Sequence, residues 1–262
     1  MKTAFKSPAV KLYNDVQMPI LGLGVYGMHG EEAERAVTRA LELGYRHIDT
    51  AALYRNEREV GRAIRASGIP RNEIFVTTKI YPTNFLWTRA AFQISLEKLG
   101  LDYIDLYLIH WPAPAKGIAW KVLEEIYANK LVRSIGVSNY SVAQLEELLS
   151  KATIPPAVNQ VEFHPFSYRK ELLDFCISKH IALEAYSPLS RGKKLGNPVI
   201  GEIAERINKT PAQVMLRWAV QHEAIVIPKS VHRERIEENA RIFDFEISGR
   251  DMGVLDGLSL YR

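Results

Sequence analysis

The chain of 262 residues alternates eight times between a short apolar stretch and an amphipathic helical pattern. Such an alternation predicts parallel strands that are buried beneath helices. The predicted strands span residues 20–25, 45–49, 74–80, 103–110, 133–138, 157–163, 181–186 and 224–228. Eight strand–helix units in a chain of this length predict an α/β fold that closes into a (β/α)₈ TIM barrel. The active site of such a barrel lies at the carboxyl ends of its strands.

Helical patterns follow the predicted strands, and a β-hairpin is expected before the first of them. The predicted helices span residues 31–43, 56–66, 88–99, 119–128, 142–149 after a capping Ser141, 170–179, 199–207, a helix that starts at Pro211 after a capping Thr210, and 235–242. Residues 10–13 and 17–19 flank Asn14-Asp15, which is a typical hairpin turn. No linker-like or low-complexity segment interrupts the pattern, so we expect residues 1–262 to form one domain.

Composition argues against several classes of protein. The net charge is +4, but the basic residues are interleaved with acidic ones, as in residues 31–35 and 233–238. Such interleaving is typical of solvated helix faces and not of a nucleic-acid interface. No apolar run reaches the roughly 18 residues that span a bilayer, and residues 1–10 lack the apolar stretch of a secretory signal. The single cysteine, Cys176, lies in an apolar helical pattern and is expected to be buried. We therefore expect a cytoplasmic protein that binds neither nucleic acid nor membranes.

Residues 22–27 carry a glycine pattern that points to a different fold. They match G-x-G-x-x-G between a predicted strand and a helix, with Asp49 at the end of the next strand, which is the local pattern of a Rossmann dinucleotide site. Glycine pairs also occur where another backbone approaches a strand closely. A doubly wound dehydrogenase with a Tyr-Lys pair would have its lysine four residues after Tyr54, where Arg58 stands. The barrel is therefore favoured, and the Rossmann fold is the alternative.

Polar residues stand at three neighbouring strand ends. Asp49, Lys79 and His110 end the second, third and fourth predicted strands, and Tyr54 lies in the loop after Asp49. Each has a structural explanation as well, since Asp49 and Lys79 could form a plain ion pair and His110 could fill space. Because the strand ends meet at one edge of the barrel, we expect the four side chains to converge.

The four side chains together suit a particular chemistry. An ammonium beside a phenol stabilises the phenolate and lowers the pKa of the phenol, while a carboxylate keeps the ammonium charged. A histidine can donate to a carbonyl oxygen and position it. This set suits protonation of an aldehyde or ketone oxygen as a hydride adds, and a nicotinamide cofactor must supply the hydride. A Schiff base on Lys79, as in an aldolase, is a second interpretation.

Three ordered segments resemble the signatures of the aldo-keto reductase family. Gly44-Tyr-Arg-His-Ile-Asp-Thr-Ala, continued to Gly61, resembles the first, and Ile135-Gly-Val-Ser-Asn-Tyr140 resembles the second. The third comprises residues 227–230 with Arg235, Glu238 and Asn239, and the likeness extends from the hairpin to Ile242.

The resemblance implies a role for each of the four converging residues. It implies that Tyr54 is the proton donor, that Asp49 and Lys79 tune it, and that His110 orients the carbonyl. We also expect a monomer and no metal site.

The resemblance further implies NADP(H) as the cofactor. The residues expected to bind it are Gly24, Val25, Ser138, Asn139, Gln160, Tyr186, Ser187, Pro188, Leu189, Ser190, Arg191, Gly192, Ile227, Lys229, Ser230, Val231, His232, Arg235, Glu238 and Asn239. Ser138, Asn139 and Gln160 match the positions that hold the nicotinamide amide, Tyr186 matches the ring that stacks on it, and residues 187–192 resemble the loop over the pyrophosphate.

The third signature implies a pocket for the 2′-phosphate of NADP. Lys229, Ser230 and Arg235 match that pocket. Two cations and a hydroxyl suit a dianion, which favours NADPH over NADH.

The substrate pocket is expected to be open. Tyr26, Tyr81 and Trp111 follow the first, third and fourth strands and would form its apolar walls. Residues 112–117 pass quickly to a helix and the chain stops soon after Phe243, whereas longer family members carry extended loops there. The chain thus resembles short bacterial members such as 2,5-diketo-D-gluconate reductases, which implies broad reduction of aldehydes, 2-ketoaldehydes and keto-sugars. A non-catalytic NADP-binding regulatory subunit of the same fold is the alternative.

Overall fold

The computed structural model describes residue 5 and residues 7–260. Both ends of the predicted 1–262 domain lie outside the described residues, and so does much of the 1–10 segment that was expected to lack a secretory signal. An amino-terminal hairpin pairs β1 (Ala9–Lys11) with β2 (Gln17–Pro19) in antiparallel fashion, as predicted. The strands that follow are β3 (Leu23–Gly24), β4 (His47–Asp49), β5 (Phe75–Ile80), β6 (Ile104–Ile109), β7 (Val132–Ser138), β8 (Val158–Glu162), β9 (Ala182–Tyr186) and β10 (Ile225–Val226).

The eight strands from β3 to β10 form one parallel sheet in chain order, and the sheet closes on itself. A parallel bridge joins Leu21, just before β3, to Val226 in β10. The backbone N–H of Gly22 donates to the Val226 carbonyl at 2.9 Å, and the Val226 N–H donates to the Ile20 carbonyl at 2.8 Å. The predicted (β/α)₈ barrel is therefore confirmed, although several strands are shorter than predicted.

Helices surround this sheet. They are α1 (Gly30–Glu42), α2 (Glu57–Ala66), α3 (Thr88–Leu99), α4 (Lys116–Ala128), α5 (Val142–Leu149), α6 (Lys170–Ser178), α7 (Pro198–Arg206), α8 (Pro211–Gln221), α9 (Arg233–Ala240) and α10 (Gly249–Gly257). The predicted caps are confirmed, because the side chains of Ser141 and Thr210 accept from the backbone N–H three residues on. The sequence prediction missed α10, which Ser248 caps through the Asp251 N–H at 3.2 Å. Among the described residues, no helix is long and apolar enough to cross a membrane.

The apolar core lies in two layers. Strand residues such as Ile48, Val76 and Ile109 pack outward against the helices. Alternate residues point into the barrel, where an apolar cluster fills the amino-terminal half; its members are Phe75, Leu106, Leu108, Val158 and Ile225 together with Leu12, Met18 and Ala157. Leu12 and Met18 come from the hairpin segment, so the hairpin closes this end of the barrel. The polar residues at the strand ends, Asp49, Lys79 and His110, lie in the opposite, carboxyl-terminal half.

The glycine pattern of residues 22–27 serves barrel geometry. A Cβ atom on Gly24 would lie 2.8 Å from the Ile227 carbonyl oxygen, where the end of the barrel sheet meets its beginning. A Cβ atom on Gly22 would lie 2.5 Å from Nδ1 of His47, so this glycine makes room for a buried imidazole. Both glycines permit close approach within a closed barrel, and the Rossmann alternative is wrong.

Candidate active site

The structure brings together the four polar side chains that follow the strand ends. Lys79 donates from Nζ to Oδ1 of Asp49 at 2.6 Å and to the Thr50 carbonyl at 2.9 Å. The same ammonium lies 5.1 Å from the centroid of the Tyr54 ring. The Tyr54 ring meets the imidazole of His110 edge to face, with ring centroids 5.6 Å apart. One phenol is thus placed between a buried ammonium and an imidazole.

A buried asparagine fixes the loop that carries Tyr54. Tyr54 ends a 3₁₀ turn (Ala52–Tyr54) between β4 and α2. Nδ2 of Asn56 donates to the carbonyls of Val25 and Met28, each at 2.9 Å, and its Oδ1 accepts from the Thr50 hydroxyl at 2.6 Å. Because Asn56 is fully buried, these bonds tie the loop after β4 to the loop after β3 without competition from water.

Burial controls the acidity of the phenol. The pKa of Tyr54 lies above its ordinary value because burial, the largest influence, disfavours the phenolate. The Lys79 ammonium lowers that pKa and the Asp49 carboxylate raises it, so the prediction of a net lowering is wrong. The influence of Lys79 alone has the predicted sign. The hydroxyl consequently keeps its proton throughout the physiological pH range.

Lys79 and Asp49 form a buried ion pair beneath the phenol. The Lys79 side chain is 0% exposed and that of Asp49 is 3% exposed. Burial, the largest influence, lowers the pKa of Lys79, but Asp49, Tyr54 and Glu184 together outweigh it and the pKa lies above its ordinary value. Burial raises the pKa of Asp49, and the donors Lys79 and Gln160 oppose that rise. Two donors on the carboxylate thus hold it as the ionic partner of the ammonium.

His110 is a neutral imidazole. Burial, assisted by the nearby Lys79 ammonium, lowers the pKa of His110 to about 3. The ring of Tyr81 packs edge-on against it, with centroids 6.0 Å apart. A neutral imidazole that carries one N–H can donate a hydrogen bond without bringing a positive charge to the site.

Asp49, Tyr54 and His110 line a cavity of about 900 Å³. Predicted site residues that line it are Gly24, Tyr26, Asp49, Tyr54, His110, Trp111, Ser138, Asn139, Gln160, Tyr186, Ser187, Pro188, Leu189, Arg191, Gly192, Ile227, Lys229, Ser230, Arg235, Glu238 and Asn239. The sequence prediction missed further lining residues, namely Gly27, Leu53, Leu195, Ala212 and Pro228. Gly27 and Pro228 stand inside motifs that were recognised, whereas the other three are ordinary apolar residues with no distinguishing signal.

Some predicted site residues lie away from the cavity surface. They are Lys79, which is buried below Tyr54, and Val25, Tyr81, Ser190, Val231 and His232. Val25 is completely buried in the core, and the Tyr81 ring packs edge-on against His110. The expectation that Tyr81 forms a wall of the substrate pocket stays a prediction.

Amide and aromatic groups form an ordered row on one side of the cavity. The Tyr186 hydroxyl donates to Oδ1 of Asn139 at 3.0 Å, and Nδ2 of Asn139 donates to the His110 carbonyl at 3.1 Å. The Ser138 hydroxyl donates to the Gln160 carbonyl at 2.8 Å. These bonds fix the orientation of the Asn139 amide and tie Ser138 to the backbone of Gln160, and Tyr186 lines the cavity beside them.

Lys229 and Arg235 give the cavity a cationic region. Both side chains are exposed, and within the described part of the chain neither has a carboxylate within 4.0 Å. Ser230 lies between them, and its hydroxyl accepts from the His232 backbone N–H at 3.1 Å. Two unpaired cations beside a hydroxyl can bind an anion such as a phosphate. No group of three or more His, Cys, Asp or Glu side chains in the described residues is placed to hold a metal ion.

Comparisons with known proteins agree with this geometry. A glyoxal reductase of Bacillus subtilis (strain 168) is 51% identical over 263 residues, which cover 99% of this chain and 95% of that protein. The crystal structure of MGS-M4, an aldo-keto reductase from a Medee basin deep-sea metagenome library, superposes with a TM-score of 0.94 at 46% identity, over 97% of this chain and 96% of that one. The Bombyx mori aldo-keto reductase in complex with NADP gives a TM-score of 0.92 at 35% identity, over 99% and 95% of the two chains.

A family model matches almost the whole barrel. The model described as Aldo/keto reductase family covers residues 20–259. This match includes every strand of the barrel and every residue of the site described above. The chain belongs to the Aldo/keto reductase family.

Proposed function

We propose that this protein reduces small aldehydes and ketones to alcohols with NADPH, and that Tyr54 donates the proton. The observation that carries the proposal is the position of one protonated phenol above the buried Lys79–Asp49 pair and beside the neutral His110, at the surface of a large cavity. The family membership supports carbonyl reduction as the class of reaction.

Each of the four residues has a distinct part in the proposed proton transfer. The N–H of neutral His110 donates to the carbonyl oxygen and positions it against the phenol. Tyr54 gives its proton to that oxygen as negative charge develops there. The Lys79 ammonium then stabilises the phenolate, and Asp49 keeps the ammonium charged and in place. Water from the solvent reprotonates Tyr54 after the alcohol leaves.

The residues of the cavity fit NADPH. Asn139 and Gln160 would hold the carboxamide of the nicotinamide, the Tyr186 ring would lie against its ring, and Lys229 with Arg235 would bind the 2′-phosphate. When bound, NADPH supplies the hydride that no side chain can provide. The Bombyx mori relative was solved in complex with NADP, which supports this choice of cofactor.

Small dicarbonyl compounds are the proposed substrate class. Exposed apolar side chains, Tyr26, Leu53 and Trp111, stand around the mouth of the cavity and offer no charge to recognise. The similar Bacillus subtilis protein is named a glyoxal reductase, which supports the dialdehyde glyoxal, followed by 2-ketoaldehydes, as the first substrates to assay. We also propose that residues 1–262 act as one catalytic domain.

The other two functions fit the geometry less well. A Schiff base needs a neutral, accessible amine, whereas Lys79 is fully buried and its pKa lies above its ordinary value. A non-catalytic cofactor-binding subunit would have no use for a phenol held over a buried ion pair. Both interpretations are therefore set aside in favour of carbonyl reduction.

Steady-state assays of NADPH oxidation with glyoxal test the proposal. The Tyr54→Phe variant should lose about 10²- to 10⁴-fold in kcat, which is the usual contribution of a general acid, while its Kd for NADPH changes little. Tyr26→Phe removes a hydroxyl from the same cavity without touching the Lys79–Asp49 pair, and it serves as the matched control. Turnover by Tyr54→Phe within a few-fold of the wild type would reject Tyr54 as the proton donor.

A further inference from the structure

A buried carboxyl group lies beneath the active site and has no part in the proposed proton transfer. Glu184 stands in the middle of β9 with its side chain inside the barrel, and it is 0% exposed. Its neighbour in register on β8 is Gln160, and its neighbour on β10 is the apolar Ile225. Burial of an ionised carboxylate in such a position costs folding free energy, unless the group is neutral or paired with a cation.

One oxygen of Glu184 fixes the Gln160 amide. Oε2 of Glu184 accepts from Nε2 of Gln160 at 2.8 Å, and the same amide nitrogen donates to Oδ2 of Asp49 at 2.8 Å. Both N–H bonds of the amide are thereby used. The hydrogen bonds of the Gln160 side chain within the described residues both come from Nε2, none reaches its Oε1, and Gln160 lines the cavity. The two carboxyl groups therefore leave the amide oxygen as the atom that can meet a ligand.

The second oxygen of Glu184 lacks such a donor. Oε1 is buried without a hydrogen bond and lies 3.5 Å from Nε2 of His47 on β4. The titratable groups that act on Glu184 are His47 and Asp49 from β4 and Lys79 from β5. A proton on Oε1 would turn this orphaned acceptor into a donor to Nε2 of His47, which also lies 3.4 Å from the Thr77 hydroxyl oxygen.

The acidities of the two partners are compatible with such a proton. Burial, reinforced by Asp49, raises the pKa of Glu184 to about 8. Burial lowers the pKa of His47 to about 3, opposed by the Pro19 backbone and assisted by Lys79, so the imidazole is neutral and can accept. Gly22, whose Cβ would collide with this ring, provides the space that the imidazole needs.

We propose that Glu184 is a positioning residue that works as a neutral carboxylic acid, donating to His47 and accepting from Gln160, so that the Gln160 amide oxygen is held towards the nicotinamide carboxamide. The proposal rests on the proposed function, since Gln160 serves there as a cofactor contact. When Glu184 ionises, its proton passes to the solvent, the bond to His47 is lost and a second negative charge appears beside Asp49. That charge binds the Lys79 ammonium more strongly and weakens its support of the Tyr54 phenolate.

Glu184→Gln is the decisive variant because a carboxamide imitates the neutral acid, with an oxygen for Gln160 and an N–H for His47. We expect the wild-type kcat for glyoxal to fall above about pH 8, and Glu184→Gln to keep kcat within about threefold at pH 7 while lacking that inflection. Tyr54 cannot cause the inflection, since its pKa lies above its ordinary value near 10. Glu184→Leu, which cannot accept from Gln160, should weaken NADPH binding about tenfold at every pH.

A matched control is Glu57→Gln. Glu57 is an equally buried glutamate on α2 that accepts from the Thr78 hydroxyl at 2.7 Å and faces away from the barrel interior. This variant should retain the wild-type pH profile. An inflection near pH 8 that persists in Glu184→Gln, or a loss of activity in Glu184→Gln as large as in Glu184→Leu, would overturn the proposal.

Infrared difference spectroscopy of protein labelled with ¹³C-glutamate tests the protonation state without activity. We expect a carboxylic-acid C=O band at pH 7 that disappears above pH 8 and is missing in Glu184→Gln. A wild-type spectrum at pH 7 without this band would also overturn the proposal, even if Glu184→Leu did not fold. If the protein reduced no carbonyl compound, the proposed function would fail while the infrared titration still decided the state of Glu184.

Discussion

Replacing Lys79 with methionine should separate the structural role of the buried ion pair from its chemical role. The methionine roughly fills the volume of the lysine stem, but it leaves the Asp49 carboxylate, 3% exposed, without the ammonium at 2.6 Å. Breaking a buried pair by removal of one partner costs about 3–5 kcal/mol, because the remaining charge is uncompensated. We expect a loss of this size in the free energy of unfolding of Lys79→Met at pH 8.

The unfolding free energy of Lys79→Met should decrease as the pH rises. Burial already raises the pKa of Asp49, and removal of Lys79 deletes the main influence that opposes this rise. The folded variant therefore holds a proton that the unfolded chain has released, and its stability declines as the pH rises from the ordinary aspartate pKa near 4 towards the raised value. Urea unfolding at several pH values between 5 and 8 measures this slope.

The double variant Asp49→Asn/Lys79→Met supplies the internal control. It removes both charges, so most of the lost stability should return. Its kcat should remain low, since the phenolate of Tyr54 would still lack the ammonium. A double variant as unstable as Lys79→Met, or one with wild-type kcat, would contradict the assignment of both roles to this pair.

Two further predictions concern the cofactor and the response to acid. Arg235→Ala and Lys229→Ala should each weaken NADPH binding about tenfold or more, because a charge-assisted bond to phosphate contributes about 1.5–3 kcal/mol. Fluorescence titration should show little change in the binding of NADH. Equal losses for the two cofactors would exclude the cationic region as the 2′-phosphate site. His47 and His110 remain neutral down to about pH 3, whereas the unfolded chain protonates near 6.5. The contribution of each neutral histidine to the unfolding free energy is thus complete above about pH 6.5 and falls by about 1.4 kcal/mol per pH unit below it. Urea unfolding of His47→Gln should therefore show an unfolding free energy that declines less steeply between pH 6 and 4 than that of the wild type.

The barrel and the meeting of the four polar residues could be predicted because they depend on periodicity. Asp49, Lys79 and His110 close consecutive strands, and parallel strands bring their ends to one edge. Helix α10 was missed because its segment, rich in glycine and aspartate, has a weak amphipathic pattern. Its start is visible only through the Ser248 cap.

Properties that depend on burial could not be predicted in the same way. The sequence shows that Lys79 can lower the pKa of Tyr54, but it does not show how much water the folded loop removes, and that larger influence reverses the net direction. Glu184 escaped notice because a single glutamate in an apolar strand looks like an edge residue until the barrel closes around it. Glu184 lies two residues before Tyr186 in β9, and residues at this spacing share one face of a strand. This spacing indicates that Glu184 lies on the same face as a predicted cofactor residue.

A single-turnover experiment on Tyr54→Phe saturated with NADPH would examine the proposed proton donor in the step that it serves. Mixing the variant with excess glyoxal and following the loss of NADPH absorbance isolates the chemical step from substrate binding and product release. We predict a rate about 10²- to 10⁴-fold below that of the wild type. A rate within a few-fold of the wild type would mean that the proton comes from another group.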